Sequence, residues 1–322
     1  MPTSLASLVR LTTIADTGGF SWDLVADAQL LLHYHFMQNA YLAGTLVAII
    51  SGIAGYYMVL RNLSFAGHSL ANVGFAGATG AALFGVSPIT GLFVAGALAA
   101  LGIHTLNRGA RQRRQSDVAV GAILTAALAR GYLFIHLATA EYAAGVYNVL
   151  FGNVLGIDDD AVRVTLVTAV ALVVVLLLIG RPLLFASVDP DVAAARGVPV
   201  RRLALGYLLL LALVVAVAVQ VVGVLLIFAL LVTPAAIAQQ VTAHPSRAIA
   251  LAMALAVAFT WVGLAVGYFT PYPVGFIITT LAFAIYALAR GGRALRQALA
   301  RGALASRGPE GPEHSAAQGA SA

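Results

Sequence analysis

The stretch from Leu203 to Val241 carries no charged side chain and, at about 39 residues, is nearly twice the length of one bilayer crossing. A run of that kind has no place in a water-soluble core, and its length predicts a hairpin turning near Gln220–Gly223. Further uncharged apolar runs of about 20 residues lie at 41–60, 65–86, 88–107, 118–138, 161–180, 248–269 and 273–290. With 203–220 and 222–241 as the two legs of the hairpin, about nine spans are expected. Only helices or closed barrels satisfy the backbone in lipid, and spans of this length are helical. The fold class expected is therefore all-α, a polytopic membrane helical bundle. The composition agrees: 9% of residues are charged and 61% are hydrophobic, against about 25% charged in a soluble domain.

Basic residues in short loops stay on the cytoplasmic side. Arg61, the cluster Arg108/Arg111/Arg113/Arg114, Arg181, Arg196, Arg201/Arg202, Arg247 and the tail from Arg290 to Arg307 all fall on one side of the expected bundle. Asp16, Asp23, Asp27, Glu141 and Asp158–Asp160 collect on the other. Nine spans then place the N-terminus outside and the C-terminus inside. Residues 1–37 are expected to form an extracytoplasmic, interfacial segment, since they lack the pattern of a cleaved signal peptide. Residues 38–291 form the transmembrane domain. Residues 292–322, rich in Gly, Pro, Ser, Ala and charge, are expected to be a largely disordered cytoplasmic tail. No internal repeat is visible.

Two absences narrow the chemistry. The chain has no cysteine, so disulfides, thiolate metal sites and cysteine nucleophiles are excluded. It has no lysine either, and a P-loop needs one for the nucleotide phosphates. If ATP drives this protein, a separate subunit binds it, and the chain is not itself an enzyme.

Between the fifth and sixth spans, Asp189 precedes Pro190 as an N-cap precedes the first helical residue, and Gly197 with Pro199 marks a stop. A helix of about two turns is expected on the cytoplasmic face. It reads either as an ordinary capped connector or as a docking helix for a cytoplasmic partner. Here the sequence resembles the ABC-3 family of metal-importer permeases, the membrane subunits of zinc and manganese uptake systems. Asp189-Pro190-Asp191 with Ala194 and Gly197 is similar to that family's loop, which runs Phe-Asp-Pro, then Ala, then Gly, with Val188 in place of Phe. Further matches are Leu60-Arg61-Asn62-Leu63-Ser64-Phe65, Asp117 with Gly121, Leu150-Phe151-Gly152, Val222 to Leu226, Thr233 to Ala238, and Pro273-Val274-Gly275. The resemblance implies a homodimer of permeases, cytoplasmic ABC ATPase subunits docked on Asp189, Pro190, Asp191, Ala194 and Gly197, and an extracytoplasmic metal-binding protein. It implies a transported divalent metal ion (zinc, manganese or iron), ATP on the partner subunit, no tightly bound cofactor and no nucleic acid.

The second span, Ser64 to Gly80, carries a stripe of small residues, Gly67, Ala71, Gly74, Gly77 and Gly80. Such stripes let helix backbones approach closely in lipid, so this helix is expected inside the bundle or at a dimer seam. His68 and Asn72 are four apart and share a face. Polar side chains within a membrane mark either a substrate path or an interhelical bond, and imidazole is a metal ligand. His68 is the candidate metal ligand, and Ser64, His68, Asn72, Thr233 and Pro234 are the candidate path residues. The proline at 234 would free carbonyls for a passing cation, or simply shape the packing. The family pattern G-D-x-L-x-H-x-x-x-P-G reads here Gly67-His68-Ser69-Leu70-Ala71-Asn72-Val73-Gly74-Phe75-Ala76-Gly77. His68 stands at the acidic position, Asn72 at the histidine and Ala76 at the proline, which leaves open a chelate or other small cargo.

Residues 139–160 form an expected outer element, with Glu141, Asp158, Asp159 and Asp160 as candidate docking residues for the binding protein. The alternative is a solvated loop ending in an N-cap. Asp117 is expected to open the fourth span as a structural cap. Arg130, deep in that span, needs a partner such as Glu141 or a wet vestibule. An ion-coupled secondary transporter would want a mid-span carboxylate, and none is present. An intramembrane enzyme would want a motif such as H-E-x-x-H, also absent.

Overall fold

The computed structural model describes Gln29, Leu31 and residues 33–106, 113–137 and 149–306. In chain order its helices are α1 (His35–Leu60), α2 (Ser64–Leu83), α3 (Pro88–Leu106), α4 (Arg113–Leu137), α5 (Asp159–Val188), α6 (Pro190–Ala195), α7 (Val200–Val241), α8 (Pro245–Phe269) and α9 (Val274–Ser306). No strand occurs among the described residues. Seven helices are long and apolar enough to cross a membrane: α1, α3, Asp117–Leu137 of α4, α5, α7, α8 and Val274–Arg293 of α9. α2, at 20 residues no shorter than α3, is diluted by Ser64, His68, Ser69 and Asn72, yet most of its residues are buried.

The long α7 is not straight. Near one end, the Tyr207 hydroxyl donates to the Ala54 carbonyl at 2.7 Å. Near the other, Gln239 Nε2 donates to the Tyr56 carbonyl at 2.9 Å. A straight helix would hold those two side chains about 48 Å apart, whereas Ala54 and Tyr56 lie on one turn of α1. The chain therefore doubles back, and it does so at Gly223, where φ is 80° and ψ 165°. The hairpin expected near Gln220–Gly223 is present.

Helix ends are closed by local chemistry. Asn62 takes a left-handed φ of 56°, so that Leu63 N–H reaches the Met58 carbonyl at 2.9 Å and Asn62 N–H the Val59 carbonyl at 3.0 Å. That Schellman turn satisfies the last carbonyls of α1 inside the bundle. Asp158 Oδ1 caps α5 through Ala161 N–H at 3.0 Å. Asp117 does not open α4, which starts a turn earlier at Arg113. The arginines there continue the helical pattern, and Asp117 lies exposed on its side.

α1 and both legs of α7 form the buried centre. The surrounding helices turn large apolar side chains outward, for example Leu178 of α5 at 74% exposure, Phe283 of α9 at 70% and Leu98 of α3 at 63%. Exposed apolar faces of this extent mark a lipid-facing surface. α9 continues to Ser306, past residue 291, with Leu295 and Leu299 one turn apart in sequence and Arg296 between them.

Candidate transport path and docking surfaces

The small-residue stripe of α2 faces inward. A β-carbon on Gly77 would collide with the Gly91 carbonyl of α3, and one on Gly80 would meet the Phe134 ring of α4 at 2.9 Å. These contacts hold α2 against α3 and α4 by van der Waals packing, the main attraction available between helices in lipid. About a third of the way round the helix, Ser64, His68 and Asn72 are half-buried. Asn72 Nδ2 donates to the His68 carbonyl at 2.9 Å and lies 3.3 Å from His68 Nε2. The imidazole meets the Phe228 ring of α7 edge-on, centroids 4.9 Å apart. Phe228 lies about 8 Å along its leg from Gly223 and about 20 Å from Val241. His68 thus faces the interior of this α7 leg, and on α2 itself it stands about one turn in from Ser64.

Thr233 and Pro234 follow Phe228 by about one and a half turns on the same leg. Pro234 is buried and Thr233 half-buried, and Pro234 offers no N–H to the Leu230 carbonyl. Among the described residues no hydrogen bond joins them to His68 or Asn72, so the structure brings together His68, Asn72 and Phe228, with Thr233 and Pro234 further along the leg. Sequence reasoning missed Phe228, because an aromatic in an apolar run carries no signal of what it faces.

The elbow is built as its residues predict. Asp189 Oδ1 accepts from Val192 N–H at 3.0 Å, Pro190 is the first helical residue, and Gly197 closes α6 with φ 83°. Asp191 and Ala194 are exposed on this one short helix.

At the opposite end of α1, His35 and Asn39 share a recess with Asp158, Asp159 and Asp160. Asn39 Nδ2 donates to Asp159 Oδ1 at 2.7 Å and to the Ile157 carbonyl at 3.2 Å, and His35 Nδ1 lies 3.6 Å from Asp159. Asp160 pairs with Arg163 at 3.4 Å on the surface. Each of the three acids has a local partner, while Glu141 lies outside the described residues. Nearby, the motifs at 150–152, 222–226 and 273–275 converge on a cavity of about 460 Å³. Gly152 and Gly223 touch backbone to backbone there: a β-carbon on Gly152 would sit 2.6 Å from the Gly223 nitrogen, and one on Gly223 2.7 Å from the Leu150 carbonyl oxygen.

The family model described as the ABC 3 transport family matches residues 33–290. This chain belongs to that family. The ABC 3 chain is 31% identical over 259 residues to the manganese transport system membrane protein MntC of Listeria monocytogenes, covering 80% of this chain and 91% of the relative. It is 33% identical over 261 residues to MntC of Halalkalibacterium halodurans, covering 80% and 88%. Among solved structures, a chain of PsaBC from Streptococcus pneumoniae in complex with Fab superposes with a TM-score of 0.73 at 28% identity, covering 83% of this chain and 95% of that one. As an ABC 3 protein, the chain is a multi-pass membrane transport subunit.

Proposed function

We propose that this ABC 3 permease imports a divalent metal ion, manganese foremost and zinc or iron as alternatives, across a bacterial plasma membrane. A separate cytoplasmic ATPase drives it. The observation that carries the reading is His68 with Asn72, on a half-buried face of α2 with the imidazole against Phe228, in a chain aligned over four-fifths of its length with manganese permeases. Among the described residues no three His, Asp or Glu side chains are placed to hold a metal ion together. One protomer therefore offers the ion an imidazole and an amide, and a second copy across the half-buried face of α2 and α7 supplies a second pair. The homodimer follows from that requirement.

In this reading the bundle crosses the membrane nine times, counting α2 and both legs of α7, with its N-terminus outside. The ATPase docks on Asp189, Pro190, Asp191, Ala194 and Gly197 of the elbow, and the extracytoplasmic binding protein on Glu141 and Asp158–Asp160. Ser64, Thr233 and Pro234 line the inner part of the path. A second reading, a permease for a metal chelate, draws on the neutral amide and imidazole where the family pattern has an acid and a histidine.

Reconstituting the permease with its ATPase and binding protein in vesicles, and measuring ATP-dependent accumulation of manganese, zinc and iron by elemental analysis, tests this. Accumulation of one metal that His68→Ala abolishes, with the complex still assembled, is the expected result. ATP consumption with no metal entering would overturn the ionic cargo and direct the same assay to chelates.

A further inference from the structure

At the elbow end of the bundle, α1 and α3 finish and α7 begins around a cavity of about 600 Å³. Arg61, His104, Arg201 and Arg202 line it, above a wall that includes Leu205 and Leu208. Among the described residues no acidic one lines it, and the ion pairs there are His35–Asp159 and Arg163–Asp160, both elsewhere. Arg61 is the telling member. Its Nη1 donates to Ser187 Oγ at 3.1 Å, its guanidinium lies 5.6 Å from the centroid of the Tyr207 ring, and its Nε is buried with no hydrogen-bond partner. Burial pulls this guanidinium below the ordinary arginine value.

A buried cation without a carboxylate partner calls for an anion. The planar guanidinium fork matches a phosphate, and basic pockets between membrane helices near the cytoplasmic face suit acidic lipid headgroups. Helix ends meet here, beside the arginines that the charge bias assigns to the cytoplasmic side. Leucines border the charged rim, as the glycerol and first methylenes of a lipid require. We infer that this cavity is a binding site for the phosphate of an anionic phospholipid, with Arg61 at its base, Arg201 and Arg202 at its rim and His104 at its side. The inference stands apart from the cargo, since none of these residues is on the proposed path.

The test uses the purified full-length permease in detergent, with phosphatidylglycerol, phosphatidylcholine and inorganic phosphate as probes, read by native mass spectrometry and thermal midpoint. Phosphatidylglycerol is expected to be retained and to raise the midpoint, and phosphatidylcholine to do neither. The exposed pair R201Q/R202Q should weaken phosphatidylglycerol binding about thirty-fold, while R247Q, at the same end but outside the cavity, should leave it unchanged. Equal weakening by R247Q would reduce the effect to diffuse surface charge and overturn the site. A midpoint rise of the same size with millimolar inorganic phosphate would keep the anion chemistry and overturn the lipid as its source. Undiminished lipid binding by R201Q/R202Q, with or without lost co-purification of the ATPase, would overturn the proposal.

Discussion

Gly223 and Gly152 show how much one β-carbon can weigh in this bundle. Both hold φ near 80°, at 80° and 77°, and each presses its backbone on the other. Gly223→Ala combines left-handed strain, about 1–3 kcal/mol, with a collision against main chain that cannot give way. A loss of 2 kcal/mol or more is expected, measured as a lowered thermal midpoint in detergent. Gly206→Ala is the matched control, because nothing lies within 4 Å of its added carbon. There the helix gains about 0.8–1 kcal/mol of propensity and the midpoint should hold or rise. Tyr207→Phe removes a buried hydroxyl whose acceptor, the Ala54 carbonyl, sits within a helix. No orphan donor remains, so the cost is expected to be only about 0.6–1 kcal/mol in the same measurement.

Among the elements, α6 is the one whose stability rests on its cap, since six residues cannot propagate a helix unaided. Asp189→Ala removes the bond to Val192 N–H and costs about 1 kcal/mol locally. The bundle's thermal midpoint should barely move, while ATP-driven uptake falls. Asp189→Asn retains a capping oxygen and should restore most of the uptake. If the Asn variant is as impaired as the Ala variant, the carboxylate acts through its charge on the ATPase and not through the helix. α2 teaches a related lesson. One of its faces is committed to α3 and α4 by glycine contacts, and that commitment leaves His68 and Asn72 turned toward α7.

For the whole molecule, charge is sorted by end. Arg61, His104, Arg201 and Arg202 gather at one end of α1, and Asp158, Asp159 and Asp160 at the other. Because the chain has no cysteine, single introduced cysteines report cleanly on sidedness. With the arginine end in the cytoplasm, Asp160→Cys should react with a membrane-impermeant maleimide in intact spheroplasts, and Arg196→Cys only after lysis. The reverse pattern would invert the proposed topology while leaving the family membership untouched.

Periodicity, charge and turn chemistry are local, and what depended on them was legible in the sequence. That covers the all-helical membrane bundle, most span limits, the capped elbow from Asp189 to Gly197 and the turn near Gly223. The same information allowed His68 and Asn72 to be put on one face of α2. What α2 faced could not be read, because its inward stripe fits a bundle interior and a dimer seam equally well. Only packing against Gly91 and Phe134 decided it. The start of α4 at Arg113 and the continuation of α9 to Ser306 escaped for a similar reason: a span ends by hydropathy, but a helix runs on while its backbone is satisfied. Contacts between residues far apart in the chain, Gly152 on Gly223, Tyr207 on Ala54 and Arg61 beside Arg201, have no local signature. They arise when distant segments compete for the same space, and tertiary structure alone settles that competition.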